Sequence, residues 1–450
     1  MRHHRLIMSR LIAALGGAGV ALLGLAGFDA AAQAQNEQFI PALVYRTGPY
    51  APNGIPFANG YADYLALVNE RDGGINGVRI ITEECETGYL TDRGVECYER
   101  LKGKGPTGAA AFSPLSTGIT YALIERAPVD RIPVVSMGYG RADSADGRVF
   151  PWVFPILGTY WTQADTLVHY VALQEGGYDK LKGKKIAFIY HDSPYGKEPI
   201  PVFQALSKQY GFELEMYPVT PPGLEQKSIW LQLARQFRPD WTFMWGWGVM
   251  NSTAIKEAAA IGYPRDHFIG VWWSGAEPDV LPAGDGAIGY KSGAMHAAGP
   301  VAAVHQDIYK YLYDKGKGAA KREEVGQVLY NRGMINAALV VEAIRTAQGK
   351  FGDKPLTGEQ VRWGLENLNL DDKRIKEIGF EGLIAPLKLS CSDHEGASKV
   401  RIQQWDGKKW SFVSDWLTPD QKLLRPMVEQ SAEKYAKDKN ITPRDCAKES

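Results

Sequence analysis

The chain has 450 residues, of which 45% are hydrophobic and 23% charged, and its formal net charge at pH 7 is zero. These values are typical of a globular protein, and the length predicts two domains rather than one hydrophobic core. Because the chain has no excess of basic residues, nucleic acid is not expected as a partner.

The N-terminus has the pattern of an export signal. A basic flank that includes Arg2, Arg5 and Arg10 precedes an apolar run at residues 11–28, and small residues follow, including Ala32 and Ala34. This pattern predicts a secretory signal peptide over residues 1–34 and a mature protein in the periplasm, with an uncleaved anchor as the alternative.

Four cysteines would then lie in an oxidising compartment, and four cysteines allow three pairings. Cys85 follows a strand predicted at 78–82 and Cys97 lies on the next predicted helix, so these two can pair locally. Cys391 would then join Cys446 and attach the C-terminal tail, residues 419–450, to the body. Metal binding is the alternative, but the sequence has no C-x-x-C spacing.

Strands and helices alternate from residue 39 onward. The first half has strands at 39–45, 78–82, 108–112 and 132–135, and helices at 57–71, 91–102 and 119–126. The pattern restarts after Phe154, with helices at 160–174 and 201–210 and strands at 185–190 and 212–217. Such alternation predicts an α/β fold with parallel sheets, and two successive halves predict two Rossmann-like lobes with a cleft between them.

Residues 241–278 form a predicted strand–helix–strand unit. Trp245 and Trp247 follow its first strand, at 241–244, and Trp272 and Trp273 lie at the end of its second, at 267–272. Ligands bind at the carboxyl ends of parallel strands, so the four indoles are expected to form an aromatic wall of a binding cleft. The alternative is that these rings belong to the hydrophobic core.

The C-terminal third continues with two helices, within 325–346 and at 357–368, and a hairpin of strands 400–405 and 410–413. The polar tail beyond Pro419 is expected to be a loose helix or an arm held by Cys446.

Polar and aromatic candidates for ligand binding follow the other predicted strands. Hydroxyl groups and free backbone N–H groups at a helix start suit a carboxylate, although serine and threonine there also act as simple N-caps. The predicted ligand-binding residues are Tyr50, Ser113, Ser116, Thr117, Ser136, Met137, Tyr139, Tyr195, Trp247, Trp273 and Glu277.

Catalysis is not expected. The pairs His191-Asp192 and Asp393-His394 are sequence neighbours, and neighbouring side chains on an extended chain point apart. The sequence has neither the glycine elbow of hydrolases nor a phosphate-binding loop. No catalytic residue, metal or cofactor is therefore predicted.

Several stretches together carry a family resemblance. They are Thr47-Gly48-Pro49-Tyr50, the glycine-rich turn at 73–77, His191-Asp192 with Tyr195-Gly196, residues 382–386 and the Asp-His-Glu-Gly at 393–396. On these residues the chain resembles type I periplasmic solute-binding proteins, the leucine/isoleucine/valine-binding class of ABC importers. The resemblance implies a small-molecule ligand, a membrane permease as partner, and a monomer.

The resemblance also implies a lobe arrangement and site roles. Three crossovers near Ile156, Ser292 and Leu387 would divide the chain into lobe 1, residues 35–156 and 292–386, and lobe 2, residues 157–291 and 387–418. Ser116 and Thr117, with the loop 136–139, would bind the ligand carboxylate. Tyr195, Trp247 and Trp273 would close over it.

One departure from the family pattern concerns the ligand. Amino-acid binders of this class pair the ligand ammonium with an acidic residue of the second lobe, where this chain has Trp272-Trp273-Ser274-Gly275. Glu277 or Asp279 would have to substitute, since a buried ammonium without a partner is costly. A branched-chain amino acid and an aromatic acid both remain candidate ligands. A ligand-sensing subunit and a secreted α/β enzyme are the alternative functions.

Overall fold

The computed structural model of the chain describes residues 36–396 and 398–449. The predicted signal peptide, residues 1–34, lies outside the described residues. Among the residues that are described, no helix is long and apolar enough to cross a membrane.

The first sheet is parallel and assembled from short strands. Its strands are β1 (Glu37–Phe39), β2 (Ala42–Val44), β3 (Arg79–Ile81), β4 (Glu84–Glu86), β5 (Val134–Val135) and β6 (Val153–Phe154). β1 pairs with β3, β2 with β4, and β5 with β6, all in parallel. Pro41 separates β1 from β2 because proline cannot donate to a strand ladder.

Residues 108–112 complete this sheet, but they form a less regular strand than predicted. Ala110 N–H donates to Phe39 C=O and Phe112 N–H donates to Pro133 C=O, both within 3.0 Å. Only one bridge, between Phe112 and Val134, is formed over the strand predicted at 108–112. The segment nevertheless lies between β1 and β5 and delivers Ser113 and the following loop to the carboxyl edge of the sheet.

The second sheet has seven strands in the order β15-β14-β11-β10-β9-β7-β8. They are β7 (Lys185–His191), β8 (Glu213–Val219), β9 (Trp241–Trp245), β10 (Phe268–Gly270), β11 (Lys291–Ala294), β14 (Arg401–Trp405) and β15 (Trp410–Phe412). β7 to β11 are parallel. β14 and β15 form the predicted antiparallel hairpin, and β14 pairs antiparallel with β11. Nearly all of β7 and all of β9 are buried, as expected for parallel strands that are covered on both faces. A separate pair, β12 (Asn369–Leu370) and β13 (Leu387–Lys388), is antiparallel.

Helices cover both sheets, and their bounds are as follows. They are α1 (Ala51–Asp72), α2 (Thr91–Leu101), α3 (Thr117–Leu123), α4 (Ala127–Asp130), α5 (Tyr160–Glu175), α6 (Pro194–Lys197), α7 (Ile200–Tyr210), α8 (Lys227–Gln232), α9 (Val249–Ala260), α10 (Glu277–Val280), α11 (Ala303–Tyr311), α12 (Val328–Phe351), α13 (Gly358–Glu366), α14 (Asp372–Glu377) and α15 (Gln421–Lys439).

Two glycines allow α1 and α12 to cross at close range. A Cβ atom on Gly60 would lie 1.9 Å from the Tyr330 carbonyl oxygen, and one on Gly333 would lie 1.9 Å from the Phe57 carbonyl oxygen. The helix backbones therefore touch, and Arg332 on α12 is held rigidly beside this crossing.

The structure confirms both predicted disulfides, Cys85–Cys97 and Cys391–Cys446. It differs from the sequence prediction at two element ends. The strand predicted at 267–272 ends at Gly270, and Trp272–Ser274 form a short 3-10 turn. The tail, expected to be a loose helix or an arm, contains the 19-residue helix α15. The predicted lobe boundary at residue 292 falls within β11 and stays a prediction.

Candidate functional site

The four tryptophans after β9 and β10 are buried but have different neighbours. The rings of Trp247 and Trp273 meet edge to face at 5.5 Å, and those of Trp272 and Trp273 lie 4.9 Å apart. Trp245 instead packs edge to face against Phe203, at 5.4 Å, inside the second sheet's core. The expected aromatic wall thus comprises Trp247, Trp272 and Trp273, and Trp245 is a core residue.

Trp273 contacts residues that follow the first sheet. Its ring stacks on Tyr139, with centroids 4.3 Å apart, and its indole N–H donates to the Gly138 carbonyl at 3.0 Å. The ring of Trp247 lies 6.4 Å from that of Tyr45 at the end of β2. The site is therefore built from both sheets, at the carboxyl ends of their strands.

Arg332 is a buried cation at this site that the sequence analysis did not single out. Its guanidinium carbon lies 4.2 Å from the Trp272 ring centroid and 4.7 Å from that of Trp273. Its Nε–H donates to His296 Nε2 at 3.2 Å, while Nη1 and Nη2 have no hydrogen-bond partner among the described residues. Burial lowers the pKa of Arg332 to about 9. Burial, with Arg332 nearby, also lowers the pKa of His296 to about 3, so that imidazole is a neutral acceptor.

Other polar groups converge on the same place. The hydroxyls of Tyr45 and Tyr139 and the indole N–H of Trp247 are buried and, within the described part of the chain, make no hydrogen bond. Burial raises the pKa of Tyr45 well above its usual range, and the nearby Tyr139, Trp247 and Arg332 oppose that rise. These four side chains therefore form a convergent set, defined here as the donor cluster: Tyr45, Tyr139, Trp247 and Arg332.

The two candidate acidic residues are already engaged by the protein. Asp279 Oδ1 accepts from Asn53 Nδ2 at 3.1 Å and Asn251 Nδ2 at 3.0 Å, and its Oδ2 accepts from the Ala276 N–H at 2.9 Å. Burial raises the pKa of Asp279 to about 6.

Glu277, a predicted ligand-binding residue, contacts the start of a helix. Its Oε2 accepts from the Val328 N–H at 3.0 Å, at the N-terminus of α12. Burial raises the pKa of Glu277 to about 7. This carboxylate holds the helix that carries Arg332.

The predicted hydroxyl residues divide into caps and unpaired groups. Ser116 caps α3 by accepting from the Ile119 N–H at 3.4 Å, as the capping alternative expected, and Thr117 Oγ1 accepts from the Gly140 N–H at 3.4 Å. Ser113 and Ser136 have buried hydroxyls that lack a hydrogen-bond partner among the described residues.

Three further candidates, Met137, Tyr195 and Tyr50, make hydrogen bonds to other elements. Met137 Sδ accepts from Asn336 Nδ2 at 3.6 Å. The Tyr195 hydroxyl donates to the Gly246 carbonyl at 2.9 Å, next to Trp247. The Tyr50 hydroxyl and His191 Nε2 form a 2.9 Å hydrogen bond between the N-terminus of α1 and the end of β7.

The histidine–aspartate pairs do not form catalytic dyads. Asp192 is exposed and pairs with Lys197, whereas the His191 ring is buried against Tyr50. His394 Nδ1 contacts the Val153 carbonyl rather than its neighbouring aspartate.

The structure therefore brings Tyr139, Trp247 and Trp273 together with Arg332 and leaves Ser113 beside Tyr61 and Leu115. One signal in the sequence could have identified Arg332. It is a charged residue in a helical stretch whose other positions, from 328 to 341, are apolar, small or amide residues. Lone charges in such stretches are rarely buried without a functional or structural reason.

Comparison with known proteins places this geometry in context. A family model described as periplasmic binding protein matches residues 37–409. No curated protein matches the chain. A crystal structure described as an ABC transporter permease from the Pseudomonas fluorescens group is 47% identical, with a TM-score of 0.86, over 92% of this chain and 100% of that one.

More distant structures share the fold. A branched-chain amino acid ABC transporter protein from Thermus thermophilus with bound valine is 21% identical, with a TM-score of 0.72, over 86% of this chain and 99% of that one. A solute-binding protein from R. palustris in complex with benzoate is 17% identical, with a TM-score of 0.65, over 85% of this chain and 97% of that one.

Proposed function

Because the chain belongs to the periplasmic binding protein family, with the type I fold of its leucine/isoleucine/valine-binding class, we propose that it binds a small carboxylate between two lobes and delivers it to a membrane permease. It is a substrate-binding protein of an ABC transporter and not an enzyme. Family membership implies a periplasmic location, a small-molecule ligand and a permease partner. We propose further that the protein is a monomer and that the lobes are residues 35–156 with 292–386, and 157–291 with 387–418.

The observation that carries this proposal is the contact of Trp273 with the loop after β5. Its stacking on Tyr139 and its hydrogen bond to Gly138 join the carboxyl ends of the two sheets. In a two-lobed protein, such contacts form when the lobes close by a hinge motion. A ligand held between these groups would be enclosed by an apolar surface with a few placed polar atoms, as is typical of small-molecule sites.

The ligand class needs evidence beyond the fold. Proteins with this fold occur with bound valine and with bound benzoate. Here the ring-rich site supports an aromatic acid through stacking, while a branched-chain amino acid would need Glu277 or Asp279 to accept its ammonium. Both candidates carry a carboxylate, which is the group the proposal requires.

A thermal-melt screen of the mature protein tests the proposal. The panel holds branched-chain and aromatic amino acids, aromatic carboxylates, short amides and polyols. A ligand at about 100 times its Kd adds roughly 2.7 kcal/mol of stability, which is a shift of a few degrees. We expect a shift with at least one carboxylate, and the loss of that shift in Trp247→Ala and Trp273→Ala. Unchanged affinity in both variants would make these rings part of the core and place the site elsewhere.

A further inference from the structure

We propose that Arg332 binds the ligand carboxylate and that the ligand is a small carboxylic acid without an amino group, an inference that rests on the proposed function above. The contact to the ligand carboxylate is thus assigned to a side chain of α12 and not to the N-terminus of α3, where the sequence pattern had placed it.

The guanidinium of Arg332 is built to receive a planar anion. Trp272 and Trp273 lie over it at 4.2 and 4.7 Å, and His296 occupies its Nε–H. The side chain is fully buried, and its two terminal nitrogens lack hydrogen-bond partners among the described residues. A carboxylate can accept two parallel N–H bonds from this end of an arginine. It would also place a negative charge in direct contact with a cation that Glu277 and Asp279 influence only through space, without a hydrogen bond.

The remaining members of the donor cluster favour an anion as well. Trp247 has only an N–H to offer, and the hydroxyls of Tyr45 and Tyr139 can each donate a proton. All three groups are buried and, across residues 36–396 and 398–449, make no hydrogen bond of ordinary geometry, although Tyr45 lies close to both Tyr139 and Trp247. Oxygen atoms of a bound carboxylate would satisfy these donors together with Arg332.

An ammonium group has no comparable place. The Asp279 carboxylate already accepts three hydrogen bonds, and Glu277 is committed to the N-terminus of α12. An ammonium beside Arg332 would also add a second positive charge to a buried site, which disfavours both charges. An acid that lacks the amino group avoids this repulsion.

Three matched pairs of probes test the inference by calorimetric titration of the mature protein. They are benzoate with benzamide, 3-phenylpropanoate with phenylalanine, and 4-methylpentanoate with leucine. We expect at least one acid to bind, and its counterpart to bind at least about 30-fold more weakly. The amide lacks the charge that pairs with Arg332, and the amino acid brings an ammonium group into a buried site without a partner. Arg332→Met should weaken that acid to a similar degree. Arg345→Met, on the same helix but partly exposed and paired with Glu342, is the matched control and should bind normally.

The melting temperature of the ligand-free variants separates binding from packing. Because burial disfavours the charged form of Arg332 in the ligand-free protein, Arg332→Met should melt at the same temperature as the native protein or higher. Arg332→Lys keeps the charge but not the planar fork, so it should fold and bind the acid more weakly, which keeps the test valid if the methionine variant does not fold.

Several outcomes would overturn the inference. Tighter binding of an amino acid than of its matched acid would do so, as would acid binding that Arg332→Met leaves unchanged. Binding of a polyol or amide with no response to any acid would refute the carboxylate role of Arg332 and leave the transport function standing. If no class of compound binds, the result would count against both this inference and the proposed function.

Discussion

His191 places a titratable ring in a contact between the two sheets. The ring is buried and hydrogen-bonded to Tyr50, and burial lowers its pKa from 6.5 to about 4. The unfolded chain therefore binds a proton between these values that the folded chain does not. The contribution of neutral His191 to stability is present above about pH 6.5 and is lost as the pH falls towards 4.

We predict that His191→Gln reduces this loss of stability at acid pH. Glutamine can keep the hydrogen bond to Tyr50 without gaining a charge. Between pH 7.5 and 4.5, the native protein should lose up to about 3 kcal/mol relative to the variant, because one pKa unit corresponds to about 1.4 kcal/mol. Urea unfolding at both pH values measures the difference. Parallel curves for the two proteins would show that His191 is protonated equally in both states.

At the scale of an element, Glu395 at the N-terminus of α5 gives stability a pH dependence opposite to that of His191. Its Oε1 accepts from the Thr159 N–H at 2.6 Å and from the Thr162 hydroxyl at 2.8 Å. Burial raises its pKa from 4.5 to about 7. Stability from this group is full below about pH 4.5 and is lost as the pH rises through 7, since the folded state holds the proton more tightly.

We predict that Glu395→Gln, an uncharged isostere, gains on the native protein as the pH rises from 5 to 8. The relative gain in the free energy of unfolding should approach at most about 3 kcal/mol. Denaturant unfolding at pH 5, 6.5 and 8 checks the sign. A constant difference across these values would mean that the carboxyl ionises normally in the folded protein.

The second disulfide anchors the C-terminal element. Cys391 and Cys446 are 55 residues apart, and the loop they close contains α15. Replacing both by serine should lower stability by about 4 kcal/mol, and the 12-residue Cys85–Cys97 pair by about 3, if unfolded-chain entropy dominates. Denaturant titration of the two double variants compares them. A larger loss from the shorter loop would show that local packing, rather than loop length, sets the contribution.

At the element scale, the alternation of strand and helix patterns in the sequence was enough to predict much of the fold. The hairpin of β14 and β15 follows from strand pattern and the Asp406-Gly407 turn, and the β9–α9–β10 order follows from apolar runs bounded by glycine. The end of β10 was not predictable, because Val271 and Trp272 fit a strand locally. In the structure the Trp272 N–H donates to Gln163 Oε1 and the Trp272 ring packs against Arg332, and both are contacts with distant parts of the chain. Arg332 itself was missed because burial of a charge depends on the α1–α12 crossing, which no local pattern encodes.

At the scale of the whole molecule, two hydrogen bonds join residues that lie far apart in the chain. Asn53 donates to Asp279, and Tyr50 bonds to His191. Each contact joins the start of α1 to the second sheet, since His191 is the last residue of β7 and Asp279 lies in α10, after β10. If both contacts form only when the lobes close, each contributes to ligand affinity without touching the ligand. A buried hydrogen bond is worth about 1 kcal/mol, or roughly fivefold in affinity.

We therefore predict that Asn53→Ala and Tyr50→Phe each weaken binding of the best acid from the probe pairs by about fivefold, and that the double variant loses about 25-fold, because both act on one closing equilibrium. Calorimetry gives the affinities, and solution X-ray scattering should show that the acid reduces the radius of gyration less completely in the double variant. Ser252→Ala removes a hydrogen bond within α9 alone and should change neither quantity. Unchanged affinity in both single variants and in the double variant would mean that these contacts persist in the open protein, so that closure depends on the Trp273 contacts instead.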